Sequence, residues 1–253
     1  MKKKQITTGR IRRIYNEYAE REDYEKHRWG KTLKKARDFT QTKKTLERFF
    51  PKIGYKNGLE VGCGPGTWTP YLLKVCTKID LLDISKEMIN QLKKSSFYIK
   101  NKKKININIA DFTNAKIDKK YGLIFSSRAI EYMPNKKNII SKMASSLNKG
   151  GKIVIITKNP YIQWERYLPF LKPFVKRNKE IHKDWISHFD TKKYMEEENL
   201  TVETIRPATI QFPCLYKSWP GVTISNMLFR LFRNRKPLCI IPFMESYIII
   251  ARK

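Results

Sequence analysis

Apolar residues fall into short runs of two alternating kinds along most of this chain. Ile11, Ile14, Tyr15 and Tyr18 sit at helical spacing, so the pattern predicts an amphipathic helix at the N-terminus. A charged stretch follows from Glu20 to Lys31. A second helix is predicted over 32–50, with Leu33, Ala36, Phe39, Leu46 and Phe50 near one face and Pro51 and Gly54 ending it. Strands are then predicted over 58–62, 78–83, 105–110, 122–126, 152–157, 201–205 and 246–251, and helices over 67–77, from 85, over 135–148 and over 191–199. Ser85 is a natural N-cap, and Gly150 fits a helix C-terminal stop. Asp80 and Asp83 lie on opposite faces of their strand by alternation.

Alternating strands and helices imply an α/β fold with a mainly parallel, doubly wound sheet. The division expected is an N-terminal helical cap over residues 1–52 and a main domain over 53–253. Two irregular inserts interrupt the rhythm, at about 159–190 and 207–237. The first is punctuated by Pro160, Pro169 and Pro173.

The 253 residues carry a formal charge of +30. Such an excess suits an anionic partner: a nucleic acid, an anionic membrane surface or a phosphorylated substrate. Compositional bias explains it equally well, because Lys outnumbers Arg and Ile and Asn are abundant, as in Ile105–Ile109. None of the four cysteines (Cys63, Cys76, Cys214, Cys239) forms a C-x-x-C pair, and His27, His182 and His188 complete no zinc pattern, so reduced thiols and no metal are expected. Lys2 to Lys4 resemble a signal-peptide n-region, but no apolar core follows, and the expected location is cytoplasmic, with peripheral membrane contact as an option.

The chemistry is concentrated in Leu59-Glu60-Val61-Gly62-Cys63-Gly64-Pro65-Gly66-Thr67, between a strand and a helix. Glycines there let the backbone turn sharply and approach a ligand closely. Dinucleotide loops share the location but read G-x-G-x-x-G. Here the spacing is G-x-G-x-G with an acid two residues before the first glycine. This resembles motif I of the class I S-adenosylmethionine-dependent methyltransferases. The resemblance continues in order through Asp83, Ala110-Asp111-Phe112, the stretch Tyr121 to Tyr132, and Leu147 to Lys152, covering roughly residues 57 to 157.

The resemblance implies a Rossmann-like sheet of seven strands, the last antiparallel, and S-adenosylmethionine as cofactor. It implies a binding set of Glu60, Gly62, Cys63, Gly64, Gly66, Asp83, Ile84, Asp111, Phe112, Ser127 and Arg128. In that reading Asp83 holds both ribose hydroxyls, Asp111 binds the adenine amino group, Phe112 packs on the ring, and Ser127 and Arg128 border the methionine end. Many relatives carry a His near Glu131, and this chain does not. A carbon or hydroxyl acceptor would need a base, for which His182, His188, Glu131 and Asp190 are the candidates. Tyr15, Tyr18, Arg28 and Trp29 are available for an N-terminal helix that closes over the cofactor.

The inserts bear on the acceptor. Tyr161, Trp164, Tyr167, Phe170, Leu171 and Phe174 interleave with Arg166, Lys172, Lys176 and Arg177; later, Met227 to Phe232 adjoin Arg233, Arg235 and Lys236. Basic beside apolar residues suit an interfacial helix on an anionic membrane or a pocket for a lipid-linked molecule, and equally an ordinary substrate lid. The expected acceptor is a small hydrophobic or lipid-linked molecule. An RNA methyltransferase is the alternative, favoured by charge but lacking an N-P-P-Y-like tetrapeptide: Asn159-Pro160-Tyr161 is a partial echo after the wrong strand. A scaffold that binds cofactor without turnover is the third reading.

Overall fold

The computed structural model describes residues 7–21, 23–162, 184–212, 217–236 and 243–253. Seven strands form one sheet: β1 (Tyr55–Val61), β2 (Cys76–Asp83), β3 (Ile105–Ile109), β4 (Tyr121–Ser127), β5 (Leu147–Lys158), β6 (Thr201–Ile210) and β7 (Met244–Arg252), in the order β3-β2-β1-β4-β5-β7-β6. Strands β1 to β5 pair in parallel, while β7 runs antiparallel to both β5 and β6. The order reverses between β1 and β4, which opens a crevice at their carboxyl ends.

Helices cover both faces. On one side α6 (Lys136–Ser145) and α7 (His188–Glu197) pack Ile140, Met143 and Met195 against Leu59, Ile124, Ile153, Ile155 and Ile249. On the other, α2 (Leu33–Phe49), α3 (Thr69–Val75) and α4 (Lys86–Lys94), which the short α5 (Ser96–Asn101) follows, set Leu46, Leu72, Ile89 and Leu92 against Leu123, Phe125, Val154, Ile156 and Ile248. Ile153 and Ile155 thus face one layer and Val154 and Ile156 the other. That is why β5 reads as a continuous apolar run: a strand buried on both faces has no polar side to show.

Local chemistry sets the helix ends. Thr32 caps α2 by accepting from Lys35 N, and Ser85 caps α4 by accepting from Met88 N. The N-terminal helix α1 (Thr8–Arg21) docks on α4. There Ser85 Oγ donates to Asn16 Oδ1 at 2.7 Å, and Gln91 Nε2 donates to the Ala19 carbonyl at 2.7 Å.

Three expectations need correction. Gly150 does not stop α6, which ends at Ser145; it lies inside β5 at φ +76°, in the irregular start of the strand. The segment from Pro207 is not an irregular insert at its start, because β6 continues to Ile210. Pro207 is tolerated since β6 is an edge strand, and the β6–β7 register shifts between Pro207 and Thr209. The same segment also holds α8 (Trp219–Phe232), capped by Ser218. Helix α7 begins three residues before the expected Thr191, where Ser187 accepts from Asp190 N. Trp164 to Arg177, Cys214 and Cys239 lie outside the described residues.

Candidate functional site

The crevice between β1 and β4 deepens into a cavity walled by the ends of β1 to β4. Its floor is the glycine turn. Gly62 sits at φ +74°, and a Cβ built on it would fall 2.1 Å from Ala129 Cβ, so the β1 and β4 loops can meet only if residue 62 lacks a side chain. Gly64, at φ +54°, has nothing within 4 Å of a built Cβ: it faces the open cavity. Gly66, at φ +89°, instead lies under Leu92, 2.5 Å from where a Cβ would stand, and packs the loop against α4.

Asp83, at the end of β2, holds this turn. Its Oδ2 accepts from Gly64 N at 2.7 Å and its Oδ1 from Ser85 N at 2.9 Å. Each oxygen keeps a second lone pair, and the residue lines the cavity. Burial raises the carboxyl above its ordinary 3.8, opposed by backbone N–H groups of Ser85, Gly64 and Ile84. Asp80 points away, accepting from Lys119 and from the Tyr121 hydroxyl.

Glu60 does not reach the cavity. It is 2% exposed, accepts from Thr69 Oγ1 at 2.7 Å, and burial pushes its carboxyl up to about 8. The acid of the glycine motif here ties the turn to the start of α3.

Beyond β3, Asp111 turns the chain: Oδ1 accepts from Thr113 N and Oδ2 from Asn114 Nδ2. Phe112 is nearly inaccessible at 1%, with Lys142 Nζ 5.0 Å from its ring centroid. Ile84 and Met88 form the neighbouring apolar wall.

At the end of β4, Ser127 Oγ is buried without a hydrogen-bond partner. Arg128 takes a left-handed backbone conformation at φ +64°, uncommon and costly for a residue with a Cβ. Its backbone N donates to the Ile156 carbonyl, and its Nε lies 2.7 Å from Glu131 Oε1 in a charge contact. Oε1 also accepts from Lys158 N at 3.1 Å. Glu131 therefore orients Arg128 and does not line the cavity.

The roof comes from the N-terminus. Thr8, Ile11 and Tyr15 of α1, with Tyr24, Arg28 and Trp29 from the short helical segment that follows, close over the cavity. Tyr15 meets Tyr24 and Tyr132 edge-on, with ring centroids at 6.2 and 5.4 Å. Burial raises the Tyr15 hydroxyl well above its ordinary value and the Tyr24 hydroxyl to about 12. Arg28 lies 4.1 Å over the Trp29 ring, and Trp29 abuts Trp68 beside the glycine turn.

Behind Arg128 lies a buried ionic cluster. Glu245, 1% exposed, meets Lys34 Nζ at 2.6 Å, Arg37 Nη2 at 3.0 Å, and Lys158 Nζ. These cations hold its carboxyl below the usual range.

The structure therefore gathers Gly62, Cys63, Gly64, Asp83, Ile84, Asp111, Phe112, Ser127 and Arg128 around one cavity, while Glu60 and Gly66 stand behind it. Of the N-terminal residues, Tyr15, Arg28 and Trp29 face it and Tyr18 does not. His188 opens α7 away from the cavity. It is 3% exposed, its ring 4.0 Å from that of Phe189, and burial lowers its pKa to about 4. Asp190 serves the α7 cap. His182 lies outside the described residues. Cys63 lines the cavity, but burial raises its thiol well above the ordinary 9.0. Tyr24 was not singled out beforehand, and Tyr132 was named only as the end of the stretch from Tyr121.

A methyltransferase-domain family model matches residues 26–205. A malonyl-[acyl-carrier protein] O-methyltransferase of Ilyobacter polytropus is 32% identical over 146 residues, covering 56% of this chain and 54% of that protein. A probable chloroplastic tocopherol O-methyltransferase of Oryza sativa is 27% identical over 212 residues, covering 76% and 57%. The chain spans about half the length of the curated relatives it matches. The crystal structure of magnesium protoporphyrin IX methyltransferase from Synechocystis, with bound S-adenosylhomocysteine, superposes with a TM-score of 0.64 at 12% identity, covering 98% of this chain and 100% of that one.

Proposed function

Because the chain belongs to the methyltransferase-domain family, of the class I S-adenosylmethionine-dependent kind, we propose that it transfers a methyl group from S-adenosylmethionine in this cavity to an oxygen of a small, hydrophobic or lipid-linked acceptor. The observation that carries the donor half is the convergence of an open Gly64, the Asp83 carboxylate and an unpartnered Ser127 Oγ at the switch point of the sheet.

When bound, the donor supplies an electrophilic methyl group on a cationic sulfonium; the protein contributes position and electrostatics. Asp83, pre-oriented by two backbone N–H groups, accepts from the ribose hydroxyls through its free lone pairs. Asp111 takes the adenine edge, with Ile84 and Met88 against the base. Ser127 Oγ gains the partner it lacks. Tyr15, Tyr24 and Tyr132 exclude water at the reacting end and offer aromatic surfaces, which attract a cation. Orientation alone supplies several kcal/mol toward such a displacement.

The acceptor half rests on two supports. Oxygen is the acceptor atom in the names of the Ilyobacter and Oryza relatives. Helix α8 buries Gly221, Ser225 and Phe229, and on the opposite face exposes Trp219 at 71%, Met227 at 55% and Leu231 at 61%. Residues four apart share a face, and exposed Arg230, Arg235 and Lys236 flank this one. An apolar stripe edged by cations fits an anionic bilayer surface, from which a lipid-linked acceptor would be drawn.

The test is incubation with labelled S-adenosylmethionine and separated lipid, RNA and polar-metabolite fractions. Label in the lipid fraction supports the proposal; label in the polar fraction alone keeps methyl transfer but overturns the hydrophobic acceptor, and label in RNA alone supports the alternative. Calorimetry with S-adenosylhomocysteine should show Asp83→Ala weakening binding by at least about tenfold, some 1.4 kcal/mol. Undiminished affinity would refute the ribose assignment.

A further inference from the structure

Two arginines line one cavity, Arg28 from the roof and Arg128 from the end of β4. S-adenosylmethionine carries a single carboxylate. The two arginines enter from different walls, and both act electrostatically on Tyr24. Arg28 lies on Trp29, which abuts Trp68 beside the glycine turn. Arg128 is fixed on the β5 side, through its backbone bond to Ile156 and the Glu131 bridge to Lys158 N. Among the described residues, the Glu131 contact is the one ion pair Arg128 makes; its Nε is buried without a hydrogen-bond partner, whereas its terminal nitrogens are not among the buried unpartnered atoms and stay accessible to a ligand. Holding a guanidinium with only 17% of its side chain exposed on a backbone at φ +64° is a costly arrangement.

Among the described residues, no histidine lines the same cavity, and its phenols are Tyr15, Tyr24 and Tyr132. Among the described residues that line it, Asp83 and Asp111 are engaged by backbone N–H groups at the donor end, and burial raises Tyr15, Tyr24 and Cys63. Glu131 is committed to Arg128, and His188 lies elsewhere. An alcohol or phenol would have to surrender its proton to some group. A carboxylate arrives ionised at neutral pH.

We infer that Arg128 is the acceptor-side anchor for a free carboxylate, which the enzyme converts to a methyl ester. The inference rests on the methyl-transfer reading above and names its substrate class. A carboxylate oxygen forms the new O–CH3 bond as the methyl–sulfur bond breaks, and the bonding pair leaves on sulfur. No proton moves: the carboxylate becomes a neutral ester and the sulfonium a neutral thioether. The planar fork of Arg128 suits a carboxylate bidentately, and loss of the acceptor's charge weakens its hold on the product.

The experiment uses tritiated methyl donor with a panel of straight-chain monocarboxylates and the malonyl thioester of N-acetylcysteamine. Base treatment releases volatile labelled methanol from methyl esters, while ethers and methylamines survive it. The wild-type chain should give base-labile label. Arg128→Gln should lower kcat/KM for the carboxylate about 30-fold or more, the usual effect of unpairing a buried charge, and Arg128→Lys should fall between because it keeps the charge without the fork. S-adenosylhomocysteine affinity should change less than about tenfold in both. Arg28→Gln should do the reverse, weakening S-adenosylhomocysteine and sparing the acceptor KM. If Arg128→Gln melts early, the Lys variant decides.

Three results overturn the inference and leave methyl transfer standing: label that resists base, no ester from the panel although wild type binds S-adenosylhomocysteine, or equal loss of donor affinity in the Arg128 and Arg28 variants. Failure of wild type to bind S-adenosylhomocysteine would instead sink the reading beneath it.

Discussion

Gly62 is where the sheet's geometry is tested most sharply. A methyl group at position 62 meets two penalties that can be separated. The first is conformational: at φ +74° an L-residue costs about 1–2 kcal/mol relative to glycine. The second is steric: its Cβ would lie 2.1 Å from Ala129 Cβ, an overlap of the kind that costs about 1–3 kcal/mol by forcing backbone shifts. Gly62→Ala should therefore lose about 2–5 kcal/mol in all. Ala129→Gly removes the obstructing methyl but leaves the φ requirement. In that background Gly62→Ala should cost only the conformational part, about 1–2 kcal/mol.

The coupling between the two substitutions is thus expected at about 1–3 kcal/mol, well beyond the 0.3–0.5 kcal/mol scatter of independent sites. Urea midpoints of the four proteins of the cycle measure it, with equal m-values as the check on comparability. Calorimetry with S-adenosylhomocysteine adds a second readout: the single Gly62→Ala variant should bind weakly and the double variant should recover most of the loss. Additivity within 0.5 kcal/mol would mean that residues 62 and 129 do not touch. The ends of β1 and β4 would then not close the floor of the cavity as described.

Other substitutions probe the surroundings. His188→Phe should remove an acid-sensitive element. The folded pKa of about 4 lies below the ordinary 6.5, so the unfolded chain binds the proton first, and stability present above pH 6.5 is lost as pH falls toward 4; a urea midpoint against pH should be flatter in the variant, and an unchanged profile would show that His188 is not the group. Glu245→Gln should cost about 3–5 kcal/mol near pH 6, because it strands Lys158 and takes from Lys34 and Arg37 the carboxylate they share with it, leaving those two only Asp38. That cost should shrink as pH rises past Lys158, whose ammonium burial already lowers to about 7, and a pH-independent cost would contradict the cluster. Replacing Trp219, Met227 and Leu231 together with Ser should abolish flotation with phosphatidylglycerol vesicles at an unchanged melting temperature; flotation that persists, or binding confined to an acidic carrier protein, would remove the bilayer assignment.

The glycine turn and its acid were legible because each is local. Gly62 and Gly64 need positive φ, and alternation along β2 separates Asp83 from Asp80 without any tertiary information. Strand β5 was legible for the same reason. Helix α8 was not. Its buried face holds Gly221 and Ser225, and its exposed face holds Trp219, Met227 and Leu231, so apolar residues trace no single stripe. Edge position, unreadable from sequence, let β6 run through Pro207. Glu60 shows the limit of motif reasoning: the acid is present at the expected spacing, yet its carboxylate serves Thr69 behind the loop.

The candidate base was the least legible feature, and the reason is physical. A titratable residue near a motif says nothing about what already occupies it. Glu131 is bound to Arg128 and Lys158 N, and His188 is sealed against Phe189 and Tyr247. Once those groups are committed, the described wall of the cavity presents a cation where a base was expected. An enzyme that must deprotonate its acceptor gains nothing from a guanidinium in its cavity. One that receives an ionised acceptor gains orientation from it and needs no proton relay at all. The chemistry of the acceptor is thus better read from the residue that Glu131 orients than from Glu131 itself.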